Sequence, residues 1–245
     1  MRKALVTVRD FSLILGDKKI VKNLSFEVYP GEVFAFLGAN GSGKTSTVRA
    51  LLGIYQKTSG ELLINGKEYS PEMAHNVGYL PEERGLYTRS KVLDTMVYFG
   101  ELKGMTKQNA TSFTLDYLKR IDLADKANIK IKKLSSGQQQ KIQLGVAIMS
   151  KPKLLVLDEP TKGLDPVNRR LLLDLVHELQ RDGTAVIYIT HLMEEVEQLA
   201  DRLLIIKDGE RRAYGSVKEI KKEFKSDRIE DIFVSIYKEG SAHAS

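Results

Sequence analysis

Gly38-Ala39-Asn40-Gly41-Ser42-Gly43-Lys44-Thr45 follows the pattern G-x-x-x-x-G-K-[ST]. Its glycines let consecutive backbone N–H groups converge on phosphate oxygens with no Cβ in the way. Lys44 can reach the β- and γ-phosphates of a nucleoside triphosphate, Thr45 offers a hydroxyl to Mg²⁺, and Ser46 completes the phosphate-binding set. The N-terminus of a following helix would add partial positive charge where the anion lies. A second group, Asp158-Glu159, puts two carboxylates at the end of the apolar run Leu154-Leu155-Val156-Leu157. Charges there need a cation or a proton-transfer role. Asp158 suits a water-mediated Mg²⁺ contact, and Glu159 suits a general base or an orienter of the attacking water. His191 follows another apolar run and could approach the γ-phosphate, or it could be a satisfied structural histidine.

The elements that must position these groups are legible in outline. Short β segments over Leu5-Val8, Leu13-Leu15 and Leu24-Val28 are broken by Gly16-Asp17 and Asn23 and read as an antiparallel region. Val33-Leu37 has the length and bounds of a buried parallel strand, and the glycine-rich loop begins where it ends. A helix is expected from Lys44 to Leu52, with Gly53 able to end it. Glu61 to Ile64 suggests a strand before the turn Asn65-Gly66, and apolar spacing predicts helices over Val92 to Lys103 and Ser112 to Ile121, inside a helical lobe over about 90–150. Strands at Lys153-Leu157, Ala185-Ile189 and Leu203-Ile206 alternate with helices at Val167-Gln180 and Met193-Leu199, the βαβ pattern of a parallel sheet.

Bulk properties bound the class. The 245 residues suit one α/β unit or a core with a lobe, and 42% hydrophobic with 29% charged residues is an ordinary globular mix. With no cysteine, disulfides, thiol nucleophiles and zinc-thiolate sites are excluded. No apolar run approaches the roughly 20 residues of a membrane span, and the N-terminus turns polar too soon for a signal segment, so the chain is not expected to cross a membrane. A net charge of +6 is compatible with nucleic acid, anionic lipid or a nucleotide. The lysines of 126–133 and 218–225 alternate with apolar residues as on solvated faces, and Phe224 is the single aromatic among them, too few for a run of base stacking.

Leu134-Ser135-Ser136-Gly137-Gln138-Gln139-Gln140 precedes the strand that carries Asp158, and with this segment the sequence resembles the nucleotide-binding subunit of ABC transporters. Gly163-Leu164-Asp165-Pro166 is similar to that family's D-loop and Thr190-His191 to its histidine switch. The resemblance covers nearly the whole chain. It implies an α/β P-loop NTPase fold of ABC type, with a mixed central sheet, an antiparallel β subdomain and a helical subdomain, forming one domain over 1–239 with a flexible tail over 240–245. It implies that Ser135, Ser136, Gly137 and Gln138 meet the γ-phosphate of an ATP held by an opposite subunit, that Asp165 lies at the interface of that pair, and that His191 senses the γ-phosphate. ATP and Mg²⁺ are the implied cofactors. The implied partners are a second ABC ATPase subunit, identical or not, and an integral membrane permease.

The sequence departs from the family pattern at three places. Ser136 stands where a glycine is usual. In Gly78-Tyr79-Leu80-Pro81-Glu82-Glu83-Arg84-Gly85-Leu86-Tyr87, Glu82 takes the place of a magnesium-binding, permease-coupling glutamine; it could accept metal or water, or be a solvated loop acid. This stretch and Ile229-Glu230-Asp231-Ile232-Phe233 resemble the exporter group with ABC-2-type permeases, including the sodium-extrusion type. Leu15 takes the place of the aromatic that stacks on adenine; either apolar packing replaces stacking or nearby Phe11 supplies the ring. The resemblance implies an ATPase on the cytoplasmic face of the cell membrane, with no nucleic-acid partner. The rival class, a regulatory or nucleic-acid-associated ABC ATPase, usually carries two nucleotide domains or a long coiled-coil insertion.

Overall fold

The computed structural model describes residues 2–83 and 85–238. Arg84 of the Pro-Glu-Glu-Arg-Gly stretch and the tail expected over 240–245 lie outside the described residues. In chain order the first elements are strands β1 (Val6–Leu15), β2 (Lys18–Val28) and β3 (Val33–Leu37), helix α1 (Lys44–Leu51) and strand β4 (Ser59–Ile64). Next come β5 (Val77–Leu80), α2 (Val92–Leu102), α3 (Lys107–Arg120), α4 (Ser136–Ile148), β6 (Leu154–Asp158) and α5 (Pro166–Arg181). The last are β7 (Ala185–Thr190), α6 (Met193–Leu199), β8 (Arg202–Lys207), β9 (Glu210–Ser216), α7 (Val217–Glu223) and α8 (Ile229–Lys238). The chain forms two compact units, one of residues 1–70 with 177–245 and one of 71–176.

The first unit holds two sheets. An antiparallel sheet runs in the order β2-β1-β4. A second, mixed group runs β7-β3-β8-β9, parallel except for β9. Every residue of β3 and β7 is buried, as expected of parallel strands covered on both faces. Phe26 of β2 stacks on Phe34 of β3 with ring centroids 5.3 Å apart, joining the two sheets. The expected first two strands are one: β1 continues through residues 9–12, where register shifts and Asp10 at φ +47° absorb the irregularity. The expected break at Asn23 also lies inside a strand, since its left-handed φ of +49° is accommodated within β2.

The second unit holds the parallel pair β5-β6 and the helices α2, α3 and α4. α3 begins five residues earlier than its apolar spacing suggests, because Thr106 caps it by accepting from the Asn109 N–H. α4 carries a full capping box: Ser135 Oγ accepts from Gln138 N at 3.2 Å, and Gln138 Oε1 accepts from Ser135 N at 2.9 Å.

Candidate functional site

In the first unit the glycine-rich loop connects β3 to α1, the strand-loop-helix order the sequence predicts. α1 starts at Lys44 because Gly43, at φ +106°, takes a backbone conformation that other residues reach only under strain. Gly38 is required by packing: a Cβ there would lie 2.5 Å from Ser42 Oγ and 2.6 Å from the Ile206 carbonyl oxygen of β8. Lys44 is only 6% exposed, and its Nζ donates to the carbonyls of Gly38 (2.7 Å) and Ala39 (3.0 Å). A buried ammonium needs acceptors, and these two curl the loop around the lysine. Asn40 and Gly41 form an exposed rim, Ala39, Thr45 and Ser46 are half-buried, and Ser42 is buried.

Parallel register places the histidine. Leu37 is paired with Thr190, so β3 and β7 end abreast, and Gly38 and His191 leave the sheet at the same edge. His191 is exposed. Behind it the Thr190 hydroxyl accepts from Leu192 N at 3.0 Å, and the buried Glu195 accepts from Tyr188 (2.8 Å) and Thr190 (3.3 Å). This polar group anchors the turn that carries His191 and was not foreseen, since Glu195 reads as an ordinary residue of an acidic helix.

In the second unit β6 ends at Asp158, which is 1% exposed, and Glu159 follows as a buried residue at φ +48°. A non-glycine residue in that region costs about 1–3 kcal/mol, and such strain concentrates at functional positions. Gln140 of α4 is buried and donates from Nε2 to the Pro160 carbonyl at 3.0 Å, tying α4 to the turn just past the two acids.

The start of α4 also meets the loop of Gly163, Leu164 and Asp165. A Cβ on Gly137 would touch Leu164 Cδ2 at 3.4 Å, and one on Gly163 would come 3.9 Å from Ser136 Oγ. Ser135 and Ser136 are exposed, and Gly137 and Gln138 half-exposed, on the first turn of α4, where backbone N–H groups lack intrahelical partners. Asp165 Oδ1 accepts from the N–H groups of Val167 and Asn168, each at 3.0 Å, at the start of α5. The Asn168 hydrogen bonds, foremost, hold its carboxyl below the usual carboxylate range.

Glu82 is exposed and accepts from Lys162 Nζ at 2.7 Å. Its turn is held from α4, where Gln143 Nε2 donates to the Glu83 carbonyl at 3.2 Å. Lys162 was not foreseen as a partner, because 80 residues separate it from Glu82. Of the two residues considered for the base, Phe11 is 0% exposed within the antiparallel sheet and its ring is not free to stack, whereas Leu15 at the end of β1 is 37% exposed.

Each unit by itself offers a donor of the kind Mg²⁺ takes: the Thr45 hydroxyl in the first and the Asp158 carboxylate in the second are hard oxygens, and Mg²⁺ binds through one or two protein groups with the rest of its shell from phosphate and water.

The chain matches the ABC transporter family over residues 21–162. It is 44% identical over 219 residues to an uncharacterized ABC transporter ATP-binding protein of Methanocaldococcus jannaschii, covering 89% of this chain and 80% of that one. It is 36% identical over 219 residues to Nod factor export ATP-binding protein I of Burkholderia lata, covering 88% of this chain and 72% of the relative. A solved structure of an ATP-binding subunit of an ABC transporter superposes with a TM-score of 0.89 at 25% identity, covering 95% of this chain and 99% of that one. The fold is accordingly the P-loop α/β fold of that family, with its mixed and antiparallel sheets. The chain belongs to the ABC transporter family, as one of its ATP-binding subunits.

Proposed function

We propose that this subunit hydrolyses ATP to ADP and phosphate and thereby powers an exporter, pairing with a second ATPase subunit on the cytoplasmic face of a membrane beneath a permease of ABC-2 type. The observation that carries the reading is the buried Lys44 seated on the carbonyls of its own glycine-rich loop, at the sheet edge where His191 also emerges. The loop from Gly38 to Ser46 cradles the triphosphate, and Lys44 turns to its terminal phosphates. Thr45 and Asp158 would hold Mg²⁺, with Glu82 as a further oxygen donor; the ion, when bound, offsets phosphate charge.

Ser135, Ser136, Gly137 and Gln138 present the first turn of α4 to the γ-phosphate bound by the opposite subunit, a site for anions by reason of the helix N-terminus and of the Ser136 and Gly137 N–H groups, which the capping box does not engage. Asp165 lies at the edge of the same surface. Glu159 takes a proton from water as the water oxygen attacks the γ-phosphorus and the bond to the β-phosphate oxygen breaks, releasing ADP. His191 reads the γ-phosphate. Closure follows from nucleotide binding because bridging phosphates favour only the state in which both halves touch them.

Transport is supported by an aromatic cluster in the second unit. Tyr87, Tyr98 and Phe99 stand with ring centroids 5.8 Å apart, and Tyr87, Tyr98 and Leu102 are exposed a short way after the Glu82 turn. Such a patch is fitted to cover a cytoplasmic segment of a membrane protein. Export is supported by the relative named for Nod factor export. Among the described residues no helix is long and apolar enough to cross a membrane, so the pore would be contributed by the partner. Purification of the native complex from detergent-solubilised membranes tests the reading: co-purification of an integral membrane protein whose presence stimulates ATP hydrolysis is expected, and recovery of the subunit without one would overturn it.

A further inference from the structure

Tyr237, near the end of α8, reaches the glycine-rich loop from 198 residues away in sequence. Its hydroxyl accepts from the Ala39 N–H at 2.8 Å and donates to the Ile206 carbonyl at 2.9 Å. The Ala39 N–H and the Gly38 C=O belong to one planar trans peptide, so they point in opposite directions. The Gly38 carbonyl accepts from Lys44 Nζ at 2.7 Å. One peptide plane is therefore held at both ends, by Lys44 on the inside of the loop and by Tyr237 on the outside.

The phenol is itself firmly placed. Its ring stacks on Phe233 with centroids 4.3 Å apart, and Lys207 Nζ lies 5.3 Å from the ring centroid while donating to the Ile236 and Tyr237 carbonyls at 2.9 and 3.2 Å. Ile229, Ile232 and Ile236 anchor α8 in the same core as Leu37, the residue that leads into the loop. Burial holds the Tyr237 phenol above its usual range, which keeps the proton that Ile206 accepts. The same Ile206 carbonyl is the atom that leaves no room for a Cβ on Gly38.

We infer that Tyr237 is a positioning residue for nucleotide binding: through α8 the C-terminal segment fixes the orientation of the Gly38–Ala39 peptide, and so the seat of Lys44. Without the hydroxyl, that plane is free to rotate and the lysine no longer starts from its binding position. The inference rests on the reading of Gly38 to Ser46 as the phosphate site. It makes a segment distant in sequence a determinant of ATP affinity.

The test compares MgATP binding and steady-state ATPase activity in the full-length subunit and three variants. Lys44→Ala first checks the site: lost binding supports it, and undiminished binding overturns the phosphate-site reading and this inference with it. Tyr237→Phe keeps the ring stack and removes one hydroxyl. It should raise the Kd and KM for MgATP about fivefold, the effect of one net hydrogen bond, with kcat within about twofold of wild type. Tyr214→Phe is the control, because its hydroxyl accepts from Glu27 N at 3.1 Å and bonds Arg202, residues of β2 and β8 rather than of the loop. It should lower the thermal midpoint while leaving the Kd unchanged. With Lys44→Ala inactive in binding, an unchanged Kd in Tyr237→Phe, or an equal rise in Tyr214→Phe, would overturn the role of Tyr237 alone.

Discussion

Lys162 donates a 2.7 Å hydrogen bond to the Glu82 carboxylate, joining the turn after β5 to the loop after β6. The Glu82 hydrogen bond, with its charge second, raises the Lys162 pKa, so the lysine stays charged through neutral pH, and the exposed pair weakens with salt. If Glu82 supplies an oxygen to Mg²⁺, Lys162 competes with the metal for it. Lys162→Ala should then lower the Mg²⁺ concentration that gives half-maximal ATPase activity, and Glu82→Gln should raise it, each by about two- to fivefold. A Mg²⁺ titration that moves in neither variant would remove Glu82 from the metal shell.

Glu159 sits at the end of a buried strand in a strained backbone conformation. Glu159→Gln preserves shape and hydrogen bonding but cannot take a proton. ATP binding should persist while kcat falls by about 10²-fold or more, the usual worth of a positioned base. Turnover equal to wild type would exclude the role.

The exposed first turn of α4 can be tested for action across a subunit pair. Lys44→Ala should inactivate the site on its own subunit, and Gly137→Asp should inactivate the site on the partner by placing a negative charge against phosphate. Either variant alone should be inactive, whereas an equimolar mixture should recover about a quarter of wild-type ATPase activity, since half of a random set of pairs holds one intact site. No recovery in the mixture, with pairing verified by light scattering, would show that the signature turn does not act in trans.

Asp165 provides a pH-dependent contribution to stability. Its folded pKa is lowered, chiefly by the Asn168 hydrogen bonds, so the contribution is complete above the ordinary carboxylate value and is lost as pH falls through the lowered one. Thermal unfolding measured across the acidic range should lose part of its pH dependence in Asp165→Asn. Superimposable pH profiles would show that this carboxylate does not contribute. The residue is exposed, so the difference should shrink in high salt.

Much of this protein is determined by local sequence. Gly38 to Thr45 specify their loop because the left-handed backbone at Gly43 and the reach of Lys44 to the Gly38 and Ala39 carbonyls are set within eight residues, whereas the approach of Ile206 that leaves Gly38 no room for a Cβ is tertiary. Ser135 and Gln138 fix the start of α4 by a cap that closes over three positions. The apolar runs of β3, β6 and β7 announce buried strands because every position in them is buried and none needs a polar face. The antiparallel region was less legible: bulges and left-handed residues inside β1 and β2 look like turns until cross-strand pairing is known.

Tertiary structure alone decided the rest. The end of β7 stands beside the end of β3 because of parallel register, which links Leu37 to Thr190 across 152 intervening positions and carries no local signature. Phe11 points into the core while Leu15 remains at the surface, a choice made by the packing of the sheet rather than by residue type. The partners of Glu82 and Ala39, Lys162 and Tyr237, lie 80 and 198 residues away. Backbone chemistry and side-chain reach decide a loop from within, but a hydrogen bond between distant segments exists only once the core has brought their elements together.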